Sequence, residues 1–144
     1  MTYKARRPYD TDMRVLFVCS GNAFRSPVAE ALLRKTRPDV EVASAGLNPV
    51  INVAESARRY LAREQAERYL KHASESLAEK NLETYDLIVA MEERHRDAVI
   101  NMCPECKGRV IVWNIEDPYF MPHGSSEKIF NQIRRRVEQL ADSL

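Results

Sequence analysis

The run Cys19-Ser20-Gly21-Asn22-Ala23-Phe24-Arg25-Ser26 follows an apolar stretch over residues 13–18 and leads into Pro27-Val28-Ala29-Glu30-Ala31-Leu32-Leu33, which reads as a helix start. A thiol and a guanidinium therefore bracket a strand-to-helix turn. Unpaired backbone N–H groups and the positive end of the helix dipole converge at such a turn, which makes it a ready site for an oxyanion. The same field favours thiolate over thiol, so Cys19 is expected to act as a nucleophile near neutral pH. Arg25 can add two parallel hydrogen bonds to a tetrahedral dianion. Five residues separate Cys19 from Arg25, enough for a loop that curls its amides around one phosphate.

A lone cysteine at a strand end is ordinarily a core residue, and an arginine on a first helical turn is ordinarily solvated. Several local choices favour the phosphate cradle instead. Gly21 and Asn22 tolerate positive φ, Pro27 suits a first helical turn, and Ser26 fits the N-cap position while also lying within reach of the sulfur.

The rest of the chain alternates strand-like and helical stretches. Residues 13–18, 40–45, 86–91 and 109–113 are β-branched or continuously apolar, as strands buried on both faces should be. Between and after them, residues 26–37, 53–72, 92–102 and 126–144 read as helices. In the last of these Ile129, Phe130, Ile133, Val137, Leu140 and Ala141 recur at helical spacing. This order predicts a single doubly wound α/β domain: a four-stranded parallel sheet with helices on both faces and right-handed crossovers. Its ligand belongs at the carboxyl ends of the strands, where Cys19 lies.

With 144 residues, 44% of them apolar, the chain can bury a core without staples. A net charge of +1 offers no electrostatic case for nucleic acid or a membrane surface as partner. The apolar runs are strand-sized, the N-terminus lacks a signal-peptide core, and three cysteines cannot all pair within one chain, so a cytoplasmic location is expected. Residues 1–12 are polar and basic without apolar periodicity. They read as an extension, loosely packed or disordered, in which Lys4, Arg6 and Arg7 offer charge to an acidic partner, and residues 13–144 form the domain.

The Cys19 segment resembles the phosphate-binding loop of the low-molecular-weight protein tyrosine phosphatases, Cys-x5-Arg-Ser-Pro near the N-terminus. That family pairs the loop with a distant Asp-Pro-Tyr, and Asp117-Pro118-Tyr119 stands here; Val28-Ala29-Glu30, Ser44-Ala45-Gly46 and the run from Tyr85 to Met91 match as well. The resemblance implies hydrolysis of phosphotyrosine in proteins or peptides, and of aryl phosphates, with inorganic phosphate as product and no metal or organic cofactor. By the same resemblance Cys19 attacks phosphorus to form a phosphocysteine, and Arg25 with the amides of Ser20, Gly21, Asn22, Ala23, Phe24 and Ser26 binds the phosphoryl oxygens. A tyrosine leaving group, with pKa about 10, needs a proton as it departs, and Asp117 is the candidate acid. Asn22 and Ser44 match residues that brace the loop. His72 falls where the family often has a histidine in this network, although a histidine at a helix end facing terminal carbonyls reads equally well. His95 reads as a surface residue, and His123 as a solvated loop position.

The departures bear on specificity. Phe24 replaces a cysteine common before the loop arginine, so no disulfide can form within the loop. The stretch after Gly46 is short and lacks an aromatic residue, which leaves ring stacking to Tyr119 and Phe120. Two alternatives share the loop. Thioredoxin-coupled arsenate reductases relay a disulfide through two further cysteines. Cys103 and Cys106 look superficially suitable, but the third helix should carry them about 15 Å or more from Cys19 at about 1.5 Å per residue. Phosphoarginine phosphatases carry Thr where this chain has Ala23. For the Cys103/Cys106 pair itself, two free thiols, a local disulfide and a shared metal all remain open.

Overall fold

The computed structural model describes residues 13–50, 52–118 and 126–144. Four strands, β1 (Arg14–Cys19), β2 (Glu41–Gly46), β3 (Leu87–Ala90) and β4 (Val110–Val112), alternate with helices α1 (Arg25–Thr36), α2 (Glu55–Arg63), α3 (Glu93–Met102) and α4 (Ser126–Ser143). The strands are parallel and lie in the order β2-β1-β3-β4. The expected doubly wound sheet is therefore the observed one. Its strands sit within a residue or so of the expected bounds, the usual scatter of element ends.

β1 is central and buried on both faces, and its alternation divides the core in two. Val15, Phe17 and Cys19 face one side, where they pack with Val28, Leu32 and Leu33 of α1, Ala57 and Leu61 of α2, and Ile129, Phe130, Ile133 and Val137 of α4. Leu16 and Val18 face the other, with Ile88, Val99, Leu77, Leu82 and Tyr85. The crossover through α1 moves one way along the sheet and that through α3 moves the other. Two crossovers of the same hand that run in opposite directions place their helices on opposite faces. Strand order consequently reverses at the carboxyl end of β1, the topological switch point where open α/β sheets bind ligands. Cys19 is the last residue of β1.

Two expectations about the helices need correction. The helix expected over residues 53–72 is only α2, from Glu55 to Arg63; Gln65 then adopts φ 57° and the chain continues through a short 3-10 turn, Glu67–Tyr69. The Ala66 N–H bonds back to the Leu61 carbonyl at 2.8 Å, closing α2 with a left-handed cap that keeps Ala66 and Leu70 in the core. Burial thus overrides the helix-forming composition of the segment. Ser26 is not the N-cap of α1: Phe24 occupies that position without a side-chain cap, and Ser26 lies inside the first turn.

Cys103 and Cys106 form a disulfide. Cys103 caps α3, and Cys106 sits in the 3-10 segment Pro104–Arg109 that leads into the start of β4. The bridge therefore lies at the amino-terminal edge of the sheet, opposite Cys19. Among the described residues no helix is long and apolar enough to cross a membrane.

Candidate active site

The loop after β1 turns its carbonyls outward and pairs them with the segment that follows β2. The N–H groups of Leu47, Asn48, Val50 and Ala54 donate to the carbonyls of Cys19, Ser20, Gly21 and Ala23 at 2.9–3.1 Å. The positive φ that the turn needs falls on Asn22, at 53°, rather than on its glycine neighbour. Gly46 is needed for close approach: a Cβ there would stand 2.6 Å from the Ser20 carbonyl oxygen and 2.8 Å from the Asn22 nitrogen. The loop closes around a cavity of about 210 Å³, with Cys19, Ser20, Gly21, Ala23, Phe24 and Arg25 on the loop side. Asn48, Val50 and Asp117 complete its rim.

Cys19 and Ser26 are both buried, with Sγ and Oγ 2.9 Å apart. Behind them the Asn22 amide donates to Ser26 Oγ at 2.8 Å and to Ser44 Oγ at 2.9 Å, and Ser44 donates to Glu30 at 2.5 Å. Asn22 and Ser44 thus share one buried hydrogen-bonded cluster with Ser26 behind the loop. His72 does not join them, because it is exposed and lies outside any α-helix. The preceding residue takes the place: Lys71 Nζ donates to Asn22 Oδ1 at 2.8 Å and to the Ser44 carbonyl at 2.9 Å. Burial pushes the Glu30 carboxyl up, against the Ser44 hydrogen bond and the Lys71 charge.

Arg25 is buried to 1% exposure, which demands paired partners. Its Nη1 donates to Glu92 Oε2 at 2.5 Å and to the Ile115 carbonyl at 2.7 Å. Its Nη2 lies 3.4 Å from Ser20 Oγ and 3.5 Å from Asp117 Oδ2. Glu92 and Ile115 therefore fix the guanidinium from one side, and the other end faces the hydroxyl and the carboxylate at the cavity. Burial would push the Glu92 carboxyl up, but hydrogen bonds from Arg94 and Arg25 outweigh it and hold it below the usual carboxylate range.

His95, expected on the surface, is fully buried. Its Nδ1 accepts the Glu92 N–H at 3.0 Å, which leaves the ring proton on Nε2 to be donated to Ser20 Oγ at 2.9 Å. Arg94 donates to the same hydroxyl at 2.7 Å. Burial first, then the Arg25 charge, lowers the imidazole pKa to about 4. It is neutral in the working range, as this hydrogen bond requires. Glu92, Arg94, His95 and Lys71 escape sequence reading because none stands at a recognisable spacing from Cys19. The one local signal is the reciprocal cap of α3, in which Glu92 accepts from the His95 N–H and His95 accepts from the Glu92 N–H.

The structure brings Cys19, Ser20, Arg25 and Asp117 to one cavity from β1, its loop, α1 and the segment after β4. Glu116 is exposed. Phe24 is half-buried against the larger core, at the cavity wall. Tyr119, Phe120 and His123 lie outside the described residues. The arrangement places a buried thiol on a loop whose carbonyls are engaged by the segment after β2, with a buried cation and a carboxylate lining the same cavity.

This geometry agrees with what the chain is similar to. Residues 14–144 match the model of the family described as low molecular weight phosphotyrosine protein phosphatase. The chain is 33% identical over 139 residues to the low molecular weight protein-tyrosine-phosphatase Wzb of Salmonella typhimurium, spanning 91% of this chain and 93% of that one. It is 32% identical over 138 residues to Etp of Escherichia coli K12, spanning 90% and 93%. Among solved structures, Vibrio vulnificus Wzb in complex with benzylphosphonate superposes with a TM-score of 0.83 at 26% identity, covering 93% of this chain and all of that one. The YwlE arginine phosphatase of Geobacillus stearothermophilus superposes with a TM-score of 0.81 at 29% identity, covering 91% and 92%. A parallel sheet ending in this loop, a match along nearly the whole domain and relatives of this kind agree: the chain belongs to the low molecular weight protein tyrosine phosphatase family and is a phosphoric monoester hydrolase.

Proposed function

We propose that this chain hydrolyses phosphotyrosine in proteins or peptides through a phosphocysteine formed on Cys19. The observation that carries the proposal is the juxtaposition at one cavity of the Cys19 sulfur, the buried Arg25 guanidinium and the Asp117 carboxylate, with Arg25 Nη2 3.5 Å from Asp117 Oδ2. Cys19 thiolate attacks phosphorus, the bond to the phenolic oxygen breaks, and Asp117 supplies the proton that oxygen needs. Water then attacks the phosphocysteine and gives its proton to Asp117, which releases inorganic phosphate and restores the thiolate. The loop amides and Arg25 bind the phosphoryl oxygens throughout, an oxyanion stabilisation already oriented before substrate arrives. Ser26 steadies the sulfur, and Glu92 with the Ile115 carbonyl holds Arg25 in place.

The test separates binding from chemistry. Cys19→Ser abolishes turnover while leaving vanadate or phosphate affinity largely intact, because the amides and Arg25 remain; Arg25→Ala damages both. Turnover near wild type in Cys19→Ser would overturn the assignment. A panel of phosphotyrosine peptide, phosphoarginine and arsenate with thioredoxin then reads the substrate class, and faster release of phosphate from phosphoarginine than from phosphotyrosine would replace the proposed substrate.

A further inference from the structure

Lys71 is 9% exposed at its side chain, and its ammonium makes more contacts than its three hydrogens can serve. Asn22 Oδ1 lies at 2.8 Å, the Ser44 carbonyl at 2.9 Å, Ser44 Oγ at 3.2 Å and Glu75 Oε2 at 2.6 Å, with Glu30 Oε1 at 3.9 Å. An ammonium only donates. So does the Glu75 backbone N–H, which reaches the same Asn22 atom at 2.8 Å. That end of the Asn22 side chain is therefore the carbonyl oxygen, and the amide nitrogen faces Ser26 and Ser44. Ser44 passes its own hydrogen to Glu30 and receives the Asn22 hydrogen. Ser26 likewise receives from Asn22, which leaves its hydrogen for Cys19 Sγ at 2.9 Å.

We propose that Lys71 is a positioning residue for Cys19: its ammonium sets the direction of a hydrogen-bond chain, Lys71 to Asn22 to Ser26, whose last hydrogen is delivered to the sulfur. The inference rests on the reading of Cys19 as nucleophile. A chain that begins at a cation and contains only donors pointing one way favours the form of Cys19 that accepts, the thiolate, and each bond polarises the next. The same ammonium also ties the segment from Leu70 to Ser76 beneath the loop, where Ser74 Oγ donates to the Asn22 carbonyl at 2.8 Å and supports its positive φ. Other charges face the two ends of this chain. Arg25 and Asp117 stand beside Cys19 at the cavity, with Glu92 and His95 behind Arg25. Glu30 from α1 and Glu75 from the same segment stand beside Lys71. Asn22 Oδ1 receives from the Lys71 ammonium and from the Glu75 backbone N–H, so Lys71 is the charged donor at the head of this chain and the Glu75 N–H its neutral companion.

Cys19 is the free cysteine of the chain, so iodoacetamide alkylation against pH reads it directly. Lys71→Gln, which keeps a polar side chain without the charge, moves the midpoint of that curve upward by about one unit, a tenfold loss of reactive form at lower pH. Lys71→Arg restores most of it. Ser26→Ala cuts the chain at its last step, and adding Lys71→Gln to Ser26→Ala then shifts the midpoint no further. Thermal unfolding confirms that each variant is folded, with Lys71→Met as a second neutral replacement. An unchanged midpoint in Lys71→Gln, or an equal shift with and without Ser26, would overturn the proposal, the latter because the charge would then act through space. Should Cys19→Ser retain turnover, the nucleophile reading falls whatever the alkylation curve shows.

Discussion

His95 gives a prediction whose size follows from its surroundings. The ring is fully buried beside Arg25, and its pKa falls from the ordinary 6.5 to about 4. Burial is the largest cause, followed by the Arg25 charge, against smaller pulls from Glu92 and Asp117. A group that ionises less readily when folded binds fewer protons than the unfolded chain between these two values, so stability rises with pH across that window. Above pH 6.5 the folded protein carries no cost from His95. At pH 5 the cost is about 2 kcal/mol, and below pH 4 it levels off at about 3 kcal/mol. Domains of this kind have about 5–15 kcal/mol in all, so the loss should be readily measured. Protonation also places a hydrogen on Nδ1 facing the Glu92 N–H, which unseats the residue that holds Arg25. Urea unfolding at pH 7.5 and pH 5.0 of wild type and His95→Gln checks it. The wild type should lose about 2 kcal/mol more than the variant between the two pH values. Parallel losses would refute the reasoning, since other carboxylates titrate in both proteins alike.

Asp117→Asn should slow phosphotyrosine by about 10²–10⁴-fold but spare an aryl phosphate whose phenol is already acidic. Pre-steady-state phenol release measures this, with the exposed Glu116→Gln as control, and equal slowing of both substrates would move the acid elsewhere. Gly46→Ala drives a Cβ into the Ser20 carbonyl and the Asn22 nitrogen, so kcat/KM should fall by about 10²-fold through displacement of the loop, whereas Gly108→Ala, with nothing within 4 Å, should match wild type. Because Phe24 stands where a partner thiol would be needed and the Cys103–Cys106 bridge lies at the opposite sheet edge, a peroxide pulse should carry Cys19 past sulfenic acid. Activity recovered with dithiol should therefore be small, and a Cys19–Cys106 crosslink in the mass spectrum would contradict that placement.

Much of this protein is written in local pattern. An apolar run whose alternate residues all find core, a loop with small and left-handed-tolerant residues, and a helix with Ile129, Phe130, Ile133 and Val137 on one stripe each declare their own conformation, because backbone periodicity decides which face is buried. Parallel order and the switch point follow from the alternation of elements and the handedness of crossovers. Of the three groups of the proposed chemistry, Cys19 and Arg25 stand out by the strand-to-helix turn that they bracket, whereas Asp117-Pro118 by itself reads as a turn and Asp117 is singled out by the resemblance to the family.

What only the tertiary structure decided is which polar side chains stand behind those three. Whether Lys71 or His72 turns inward depends on where the chain leaves α2, and that is set by burial of Ala66 and Leu70 against other elements rather than by the helix-forming residues around them. Whether Ser26 caps a helix or faces a sulfur depends on Asn22 lying at φ 53° with its amide anchored from a segment some fifty residues away. His95 is buried because β3 ends beside β1 and sets the start of α3 against the loop. A buried polar group must find a partner, and its partner is chosen by the fold as a whole.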